Sequence, residues 1–164
     1  MRLQRPKCFF DLKVGDHSVG RVVFELYAEE FPVAANNFMA LCVGFVTPSG
    51  KLLTYRGTNF HTILDEAGLL IGGDVTRNNG TEEEKDCVPR FEVSGALATA
   101  NFGPNRNNSQ YFITLDKAKR EAFPNNAVFG HVISGFDILV KLRRQGGMGG
   151  FPKTVVQVEN SGKI

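Results

Sequence analysis

A polar loop that leads into a short aromatic strand is the part of this sequence that most restricts its fold. Residues 101–108 are rich in Asn and contain Gly and Pro, and an alternating run over residues 109–113 follows directly. Gly and Asn tolerate positive φ angles, and Asn side chains bond nearby backbone groups, so the loop has a defined shape. Side chains two apart in a strand share a face, which places Gln110 beside Phe112. The segment therefore predicts a peptide-binding pocket with an amide beside an aromatic floor.

Length and composition indicate one ordinary globular domain. The 164 residues suit a single core, and we treat 1–164 as one domain. The hydrophobic fraction of 42% and the charged fraction of 22% are typical of a folded globular protein rather than a disordered chain. A net charge of +2 gives no reason to expect nucleic acid or an anionic membrane as a partner.

Three cysteines are present, Cys8, Cys42 and Cys87, without metal-ligand spacing. Their odd number argues against a disulfide framework, and Cys8 and Cys42 lie in apolar segments typical of buried small hydrophobes. No apolar run approaches the ~18 residues that a membrane-spanning helix needs, and no signal peptide is evident. We expect no membrane association, no metal and a reducing compartment, the cytoplasm or the nucleus.

Hydrophobic periodicity predicts a mainly β protein. Residues 45–56 are expected to form a loop. Eight short strands with two separated helices fit a closed eight-stranded antiparallel barrel capped by two α-helices, because closure removes the sheet edges that promote aggregation. We predict strands over residues 8–12, 17–27, 58–64, 69–72, 96–100, 110–114, 128–132 and 154–159, and helices over 33–43 and 136–144.

A series of short motifs, each weak alone, occurs in one order along nearly the whole chain. They are residues 9–12, 20–22, 24–26, 37–41, 60–61, 72–74, 79–81, 100–101, 103–105, 109–110, 112–113 and 128–130. With these motifs the chain resembles the cyclophilins, a family of peptidyl-prolyl cis-trans isomerases. The resemblance implies an eight-stranded barrel with two capping helices, a groove for proline-containing peptides, and no metal or organic cofactor.

The chemistry implied by the resemblance is rotation about an X–Pro bond, whose barrier is about 18–20 kcal/mol. In cyclophilins an arginine directly after a Phe–His pair is credited with hydrogen-bonding the prolyl nitrogen as the amide twists. A glutamine and an asparagine backbone hold the peptide, and a tryptophan and a second histidine line the rim. The positions retained in this chain are His61, Ala100, Asn101, Gln110 and Phe112.

Several positions depart from the family pattern. Thr62 stands where the catalytic arginine is expected, and Ile71 stands where a glutamine is expected. The rim tryptophan and histidine align with Glu121 and Asn126, and Phe102 replaces a smaller alanine. The family's methionine before the Gly-Gly-Asp turn (residues 72–74) corresponds to Leu69. The segment between residues 81 and 95 is about nine residues shorter than in a typical cyclophilin, a difference that surface loops tolerate.

The loss of the arginine predicts a large fall in catalysis. A threonine hydroxyl is short and neutral and cannot replace a guanidinium fork. Removing one preorganised electrostatic donor costs about 10²–10³ in rate. Arg106, on the Asn-rich loop, is the nearest alternative cation by topology, although a loop arginine is more often solvated. His61 can equally be a rim or core histidine, and Phe112 can serve both core and pocket floor.

We therefore expect a cyclophilin-like domain that binds proline-containing or other extended segments with isomerase activity lost or strongly reduced. The alternatives are a slow but genuine isomerase, or a scaffold that uses a surface outside the groove. We expect a monomer that binds cyclosporin weakly or not at all. The catalytic positions are His61, Thr62 and Gln110, and the peptide-binding positions are Leu69, Ile71, Ala100, Asn101, Phe102, Phe112, Glu121 and Asn126.

Overall fold

One eight-stranded antiparallel sheet and two helices make up the fold in the computed structural model, which describes residues 4–75, 95–99, 109–115 and 128–164. The helices are α1 (Pro32–Val43) and α2 (Phe136–Leu142). The strands are β1 (Lys7–Val14), β2 (His17–Leu26), β3 (Phe45–Val46), β4 (Leu52–Leu53), β5 (Thr62–Leu64), β6 (Leu69–Gly72), β7 (Ala96–Thr99), β8 (Tyr111–Thr114), β9 (Val128–Ser134) and β10 (Val156–Lys163).

The sheet order is β10-β1-β2-β9-β7-β8-β6-β5, with β3 and β4 paired separately. Alternation of buried and less buried side chains, as in Cys8, Phe10 and Leu12 of β1, turns one face of the sheet toward the core. The mainly β class, the eight-stranded sheet and the two helices predicted from the sequence are confirmed.

The predicted closure of the barrel is wrong in its detail. Strands β5 and β10 lie at the two ends of the sheet order, and the described residues form no ladder between them. The strand predicted from residue 58 begins only at Thr62, because residues 55–58 form a turn in which Thr58 N–H donates to Tyr55 O. Asn59 makes an isolated bridge to Gln157, and Phe60 N–H donates to Val156 O at 2.9 Å. The sheet is therefore an open half-barrel whose two ends are linked locally.

An aromatic cluster fills the space between the sheet and α1. Phe10, Phe24, Phe38, Tyr55 and Tyr111 are each at most 1% exposed. Adjacent ring centroids lie 5.0–5.7 Å apart, and several pairs meet edge to face, the arrangement that aromatic quadrupoles favour. Phe38 comes from α1, so the helix is held to the sheet through this cluster.

The two helices follow their predicted positions closely. Helix α1 has Pro32 in its first turn, where its missing N–H is not needed. The helix ends at Gly44, whose φ of 93° is readily adopted by glycine and whose N–H donates to Ala40 O. Helix α2 is shorter than predicted, because a 3-10 turn replaces the α-helix at Arg143–Gln145. No helix in the described ranges is long and apolar enough to cross a membrane.

Two features of the remaining sequence predictions can be assigned. Cys8 and Cys42 are free and fully buried in the core, as expected, whereas Cys87 lies outside the described residues. Residues 45–56, expected to be only a loop, contain the hairpin of β3 and β4, in which Val46 pairs with Leu52. Two-residue strands carry too little periodicity to be recognised in a sequence.

Candidate functional site

A row of side chains crosses four neighbouring strands on one face of the sheet. Thr62 of β5 is paired with Ile71 of β6, Ile71 with Phe112 of β8, and Phe112 with Ala98 of β7. Residues directly opposite one another in an antiparallel pair project on the same face. We call these four residues the groove row. The structure thus brings together three of the positions predicted from the sequence.

The groove row changes from polar and half-buried to apolar and buried along its length. Thr62 and Ile71 are half-buried, whereas Phe112 is 4% exposed and Ala98 is fully buried. Leu69, two residues before Ile71 and therefore on the same face, is 7% exposed. Apolar surface thus dominates this face, and the Thr62 hydroxyl is the polar group at its β5 end.

Gln110 lies immediately before β8 and is half-buried. Its neighbour Ser109 fixes this point of the chain, because Ser109 Oγ donates to Gly73 O at 2.6 Å and accepts from Val75 N–H at 3.3 Å. Tyr55 Oη donates to Ser109 O at 2.7 Å from the buried side. Two of these bonds tie the entry of β8 to the Gly-Gly-Asp turn and the residue that follows it, and the third ties it to Tyr55, so the backbone next to Gln110 is fixed.

The Gly-Gly-Asp turn has a steric reason for its second glycine. A Cβ placed on Gly73 would lie 2.6 Å from the ring of Tyr111 and 2.7 Å from Ser109 O, and the φ of Gly73 is +88°. Ser109 belongs to the motif at residues 109–110, but its role in holding the Gly-Gly-Asp turn was not predicted from the sequence.

His61 contacts Thr62 through its side chain. His61 Nδ1 lies 2.8 Å from Thr62 Oγ1, within hydrogen-bond distance, and either atom donates according to the histidine tautomer. His61 Nε2 is buried and has no hydrogen-bond partner within the described part of the chain. The histidine also lines a polar cavity of about 470 Å³ together with Arg56, Asn59 and Asp74. The imidazole is therefore shared between the β5 end of the groove row and this cavity.

A glycine-rich segment after α2 packs on β5. A Cβ on Gly150 would lie 2.9 Å from Leu64 Cδ2 and 3.1 Å from Thr62 Cγ2, so a side chain at residue 150 would have to displace Leu64, and the φ of +83° also favours glycine. Arg143 Nε donates to Asp65 Oδ1 at 2.7 Å and fixes the turn between β5 and β6 to the end of α2. This contact was not predicted from the sequence.

Burial changes the ionisation of groups beneath the site. Burial raises the pKa of Tyr111 and of Tyr55 well above the ordinary value, and the neighbouring Cys42 adds to the effect. Burial also raises the pKa of Cys42, while a hydrogen bond from Cys42 lowers the pKa of Cys8. The raised pKa keeps Tyr111, Tyr55 and Cys42 neutral near pH 7, so these three groups add no charge to the floor of the site.

The remaining predicted positions fall outside the described residues. They are Ala100, Asn101, Phe102, Glu121 and Asn126, together with the alternative cation Arg106. Of the arginines near the site in the described ranges, Arg56 donates to Ser161 O and Val43 O, and Arg143 pairs with Asp65. Both guanidinium groups are therefore occupied by structural contacts.

Comparison with known proteins gives one family. The family model described as cyclophilin type peptidyl-prolyl cis-trans isomerase/CLD matches residues 9–163. The match covers nearly the whole chain and includes every strand of the eight-stranded sheet that carries the groove row.

Proposed function

The chain belongs to the cyclophilin-type peptidyl-prolyl cis-trans isomerase family, and from that premise we propose that it is a peptide-binding member with isomerase activity lost or strongly reduced. Its ligand is a proline-containing or other extended segment that lies over the groove row. The observation that carries this proposal is the pairing of Thr62 with Ile71 at the polar end of an otherwise apolar row.

The apolar part of the row supports peptide binding. A proline ring is an apolar, rigid group, and Phe112 and Leu69 offer it a mainly buried apolar floor. Gln110, held by the Ser109 bonds, supplies an amide that can bond the peptide backbone. A preorganised amide beside an apolar floor is the usual composition of a small binding site.

The polar end of the row supports weak catalysis. Rotation about the X–Pro bond needs stabilisation of the twisted amide, whose nitrogen becomes a hydrogen-bond acceptor as it loses resonance. Thr62 has no positive charge and a short reach, and Ile71 opposite it has no polar atom in its side chain. Loss of one preorganised donor costs about 10²–10³ in rate. Residual activity is therefore small compared with a member that carries the arginine.

A slow isomerase is the second candidate, and the contact between His61 and Thr62 favours it. When His61 Nδ1–H donates to Thr62 Oγ1, the threonine proton is free to donate to a prolyl nitrogen. The hydroxyl would then act as a weaker substitute for the guanidinium. The buried floor around Phe112 would add to this by excluding water.

Exchange spectroscopy of a short Ala-Pro peptide separates the candidates. The cis/trans exchange rate is measured by NMR with the protein first substoichiometric and then stoichiometric. Chemical-shift changes at Gln110 and Phe112 without faster exchange support the binding module. Faster exchange at substoichiometric protein supports the slow isomerase. An absence of both effects contradicts groove binding and directs the search to other surfaces, such as the exposed Val46 and Leu52 of the β3–β4 hairpin.

The domain's surroundings are also part of the proposal. Cys8 and Cys42 are free and buried, which suits a reducing compartment such as the cytoplasm or the nucleus. We expect the domain to act as a monomer.

A further inference from the structure

We propose that Phe151 is a second anchor for the peptide, which takes an apolar or aromatic side chain about three residues from the proline. This inference rests on the proposed function, since it extends the same binding surface beyond the β5 end of the groove row. It assigns a specificity-determining role to a residue outside the motifs that identify the family.

Phe151 is presented to solvent by a loop of defined shape. Its side chain is 74% exposed, the largest exposed fraction among the large hydrophobic side chains of the described residues. Backbone bonds close the loop: Lys153 N–H donates to Gln145 O at 2.7 Å, and Gly147 N–H donates to Phe151 O at 3.0 Å. Gly150 N–H also donates to Gly147 O at 3.2 Å. An aromatic ring on a backbone fixed in this way loses little conformational entropy on binding.

The loop is seated directly against the groove row. Gly150 precedes Phe151, and the position that a Cβ on Gly150 would occupy is closely approached by the side chains of Thr62 and Leu64. The φ angles of Gly149 and Gly150 are +68° and +83°, so two successive residues are in the left-handed region that glycine adopts freely. These two glycines allow the chain to lie on β5, and the exposed Phe151 is the next residue along the chain.

The spacing of the two anchors sets the expected ligand. Thr62 and Phe112 are separated by two strand intervals of about 4.8 Å each, or about 10 Å in total. An extended peptide advances about 3.3 Å per residue. With its proline ring on Phe112, such a peptide reaches the Thr62 end of the row about three residues away. A side chain there meets Phe151.

Aromatic and large apolar groups on the peptide suit this position best. A ring such as Phe151 gains most from another ring or a large aliphatic group, through burial of apolar area and edge-to-face contact. The loop carries no acidic side chain between Gln145 and Lys153, and Lys153 and Arg144 flank it. The surface therefore disfavours a basic residue at the same place in the peptide.

The test uses a small peptide series and two protein variants. Each peptide contains one proline, with Phe or Ala placed three residues before it or three residues after it. Three proteins are compared: the wild type, Phe151→Ser and the control Val155→Ser. Val155 is another exposed apolar residue, and its carbonyl accepts from Gly15 N–H at the β1–β2 turn. Binding is followed by NMR titration at Phe112 and by calorimetry, and thermal melts check that both variants stay folded.

We expect one Phe-containing peptide to bind wild type roughly five- to tenfold more tightly than its Ala counterpart. Phe151→Ser should remove that advantage, and Val155→Ser should keep it. If the peptides shift Phe112 but Phe151→Ser binds all of them like wild type, the second anchor is wrong and groove binding stands. If no peptide shifts Phe112, the proposed function itself fails, and the inference fails with it.

Discussion

Thr62 and Ile71 lie directly opposite one another on β5 and β6. Their Cβ atoms are therefore about 5 Å apart on the same face, and residue 71 is the cross-strand neighbour of residue 62 on β6. The Thr62 hydroxyl has its polar partner in His61, whereas a longer side chain at residue 62 would extend over residue 71. We therefore treat the two departures predicted from the sequence, at residues 62 and 71, as one structural change rather than two.

The double variant Thr62→Arg/Ile71→Gln should recover isomerase activity. The amide at residue 71 can accept from the guanidinium and hold it over the row, whereas isoleucine cannot. We expect the double variant to catalyse exchange of an Ala-Pro peptide about 10²-fold faster than wild type, and Thr62→Arg alone to gain less. The measurement is NMR exchange at substoichiometric protein.

Ile71→Gln alone is the matched control, since it adds the amide without a cation. It should leave the exchange rate near that of the wild type. Equal rates for the wild type and the double variant would refute our explanation of the proposed loss of activity, provided that both proteins melt cooperatively.

Substitution Phe112→Leu should weaken peptide binding while it preserves the fold. Phe112 is 4% exposed, and truncation to alanine would cost about 3–5 kcal/mol of stability, which leucine largely avoids. We expect the dissociation constant for a Pro peptide to rise about tenfold, because the aromatic floor is lost. Titration calorimetry measures it. Unchanged affinity for a natural partner would favour the scaffold alternative.

Cyclosporin should bind weakly. In the family this ligand uses the arginine and the rim tryptophan, and this chain has Thr62 and Glu121 at the aligned positions. Calorimetry with the intact protein measures the affinity directly. A submicromolar dissociation constant would overturn this expectation, and the double variant described above should bind more tightly than wild type.

Tyr55 and Tyr111 offer a matched pair of hydroxyl deletions. Their ring centroids are 5.2 Å apart, and both residues are at most 1% exposed. Tyr55 Oη donates a hydrogen bond to Ser109 O, whereas Tyr111 Oη has no hydrogen-bond partner among the described residues. Tyr55→Phe should lower the free energy of unfolding by about 1–3 kcal/mol, because it leaves a buried carbonyl without its donor. Tyr111→Phe should be neutral or stabilising. Urea unfolding of both variants measures these changes. A larger loss of unfolding free energy in Tyr111→Phe than in Tyr55→Phe would contradict the assignment of the hydrogen bond to Tyr55.

Stability should fall steeply in alkaline solution. Burial raises the folded pKa of both tyrosines, so the unfolded chain ionises first as the pH rises, and each tyrosine then favours unfolding. The stabilisation is complete below the unfolded pKa of about 10 and declines above it by about 1.4 kcal/mol per pH unit for each tyrosine. Urea unfolding between pH 8 and 11 measures this slope. Tyr111→Phe should reduce the slope of unfolding free energy against pH. An unchanged slope in this variant would show that ionisation of the buried Tyr111 phenol is not its cause.

The sequence was most informative where the physics is local. The two-residue period of strands predicts which face of the sheet carries Phe112. A glycine at residue 44, which readily adopts a positive φ, predicts the end of α1. Closure of the barrel was overestimated, because it depends on backbone bonds between residues 57–60 and β10, about a hundred residues apart.

The supports of the candidate site were missed for the same reason. Ser109 acts through Gly73 O, and Gly150 acts by lacking a side chain against Thr62. Neither contact leaves a periodic pattern in the sequence. Both depend on segments that meet only after the sheet has formed, so residue type alone does not reveal them.

The position of β1 in the sheet has a consequence for how the protein is made. β1 lies between β2 and β10, and its pairing with β10 runs from Cys8 opposite Lys163 to Val14 opposite Val156. At roughly 5–20 residues per second, the ribosome adds the missing partner roughly 7–30 s after it has added β1. Throughout that interval the nascent chain carries an open strand edge. The sheet is therefore completed only after β10 has been synthesised, and a chaperone that recognises unpaired strands has that interval in which to bind β1.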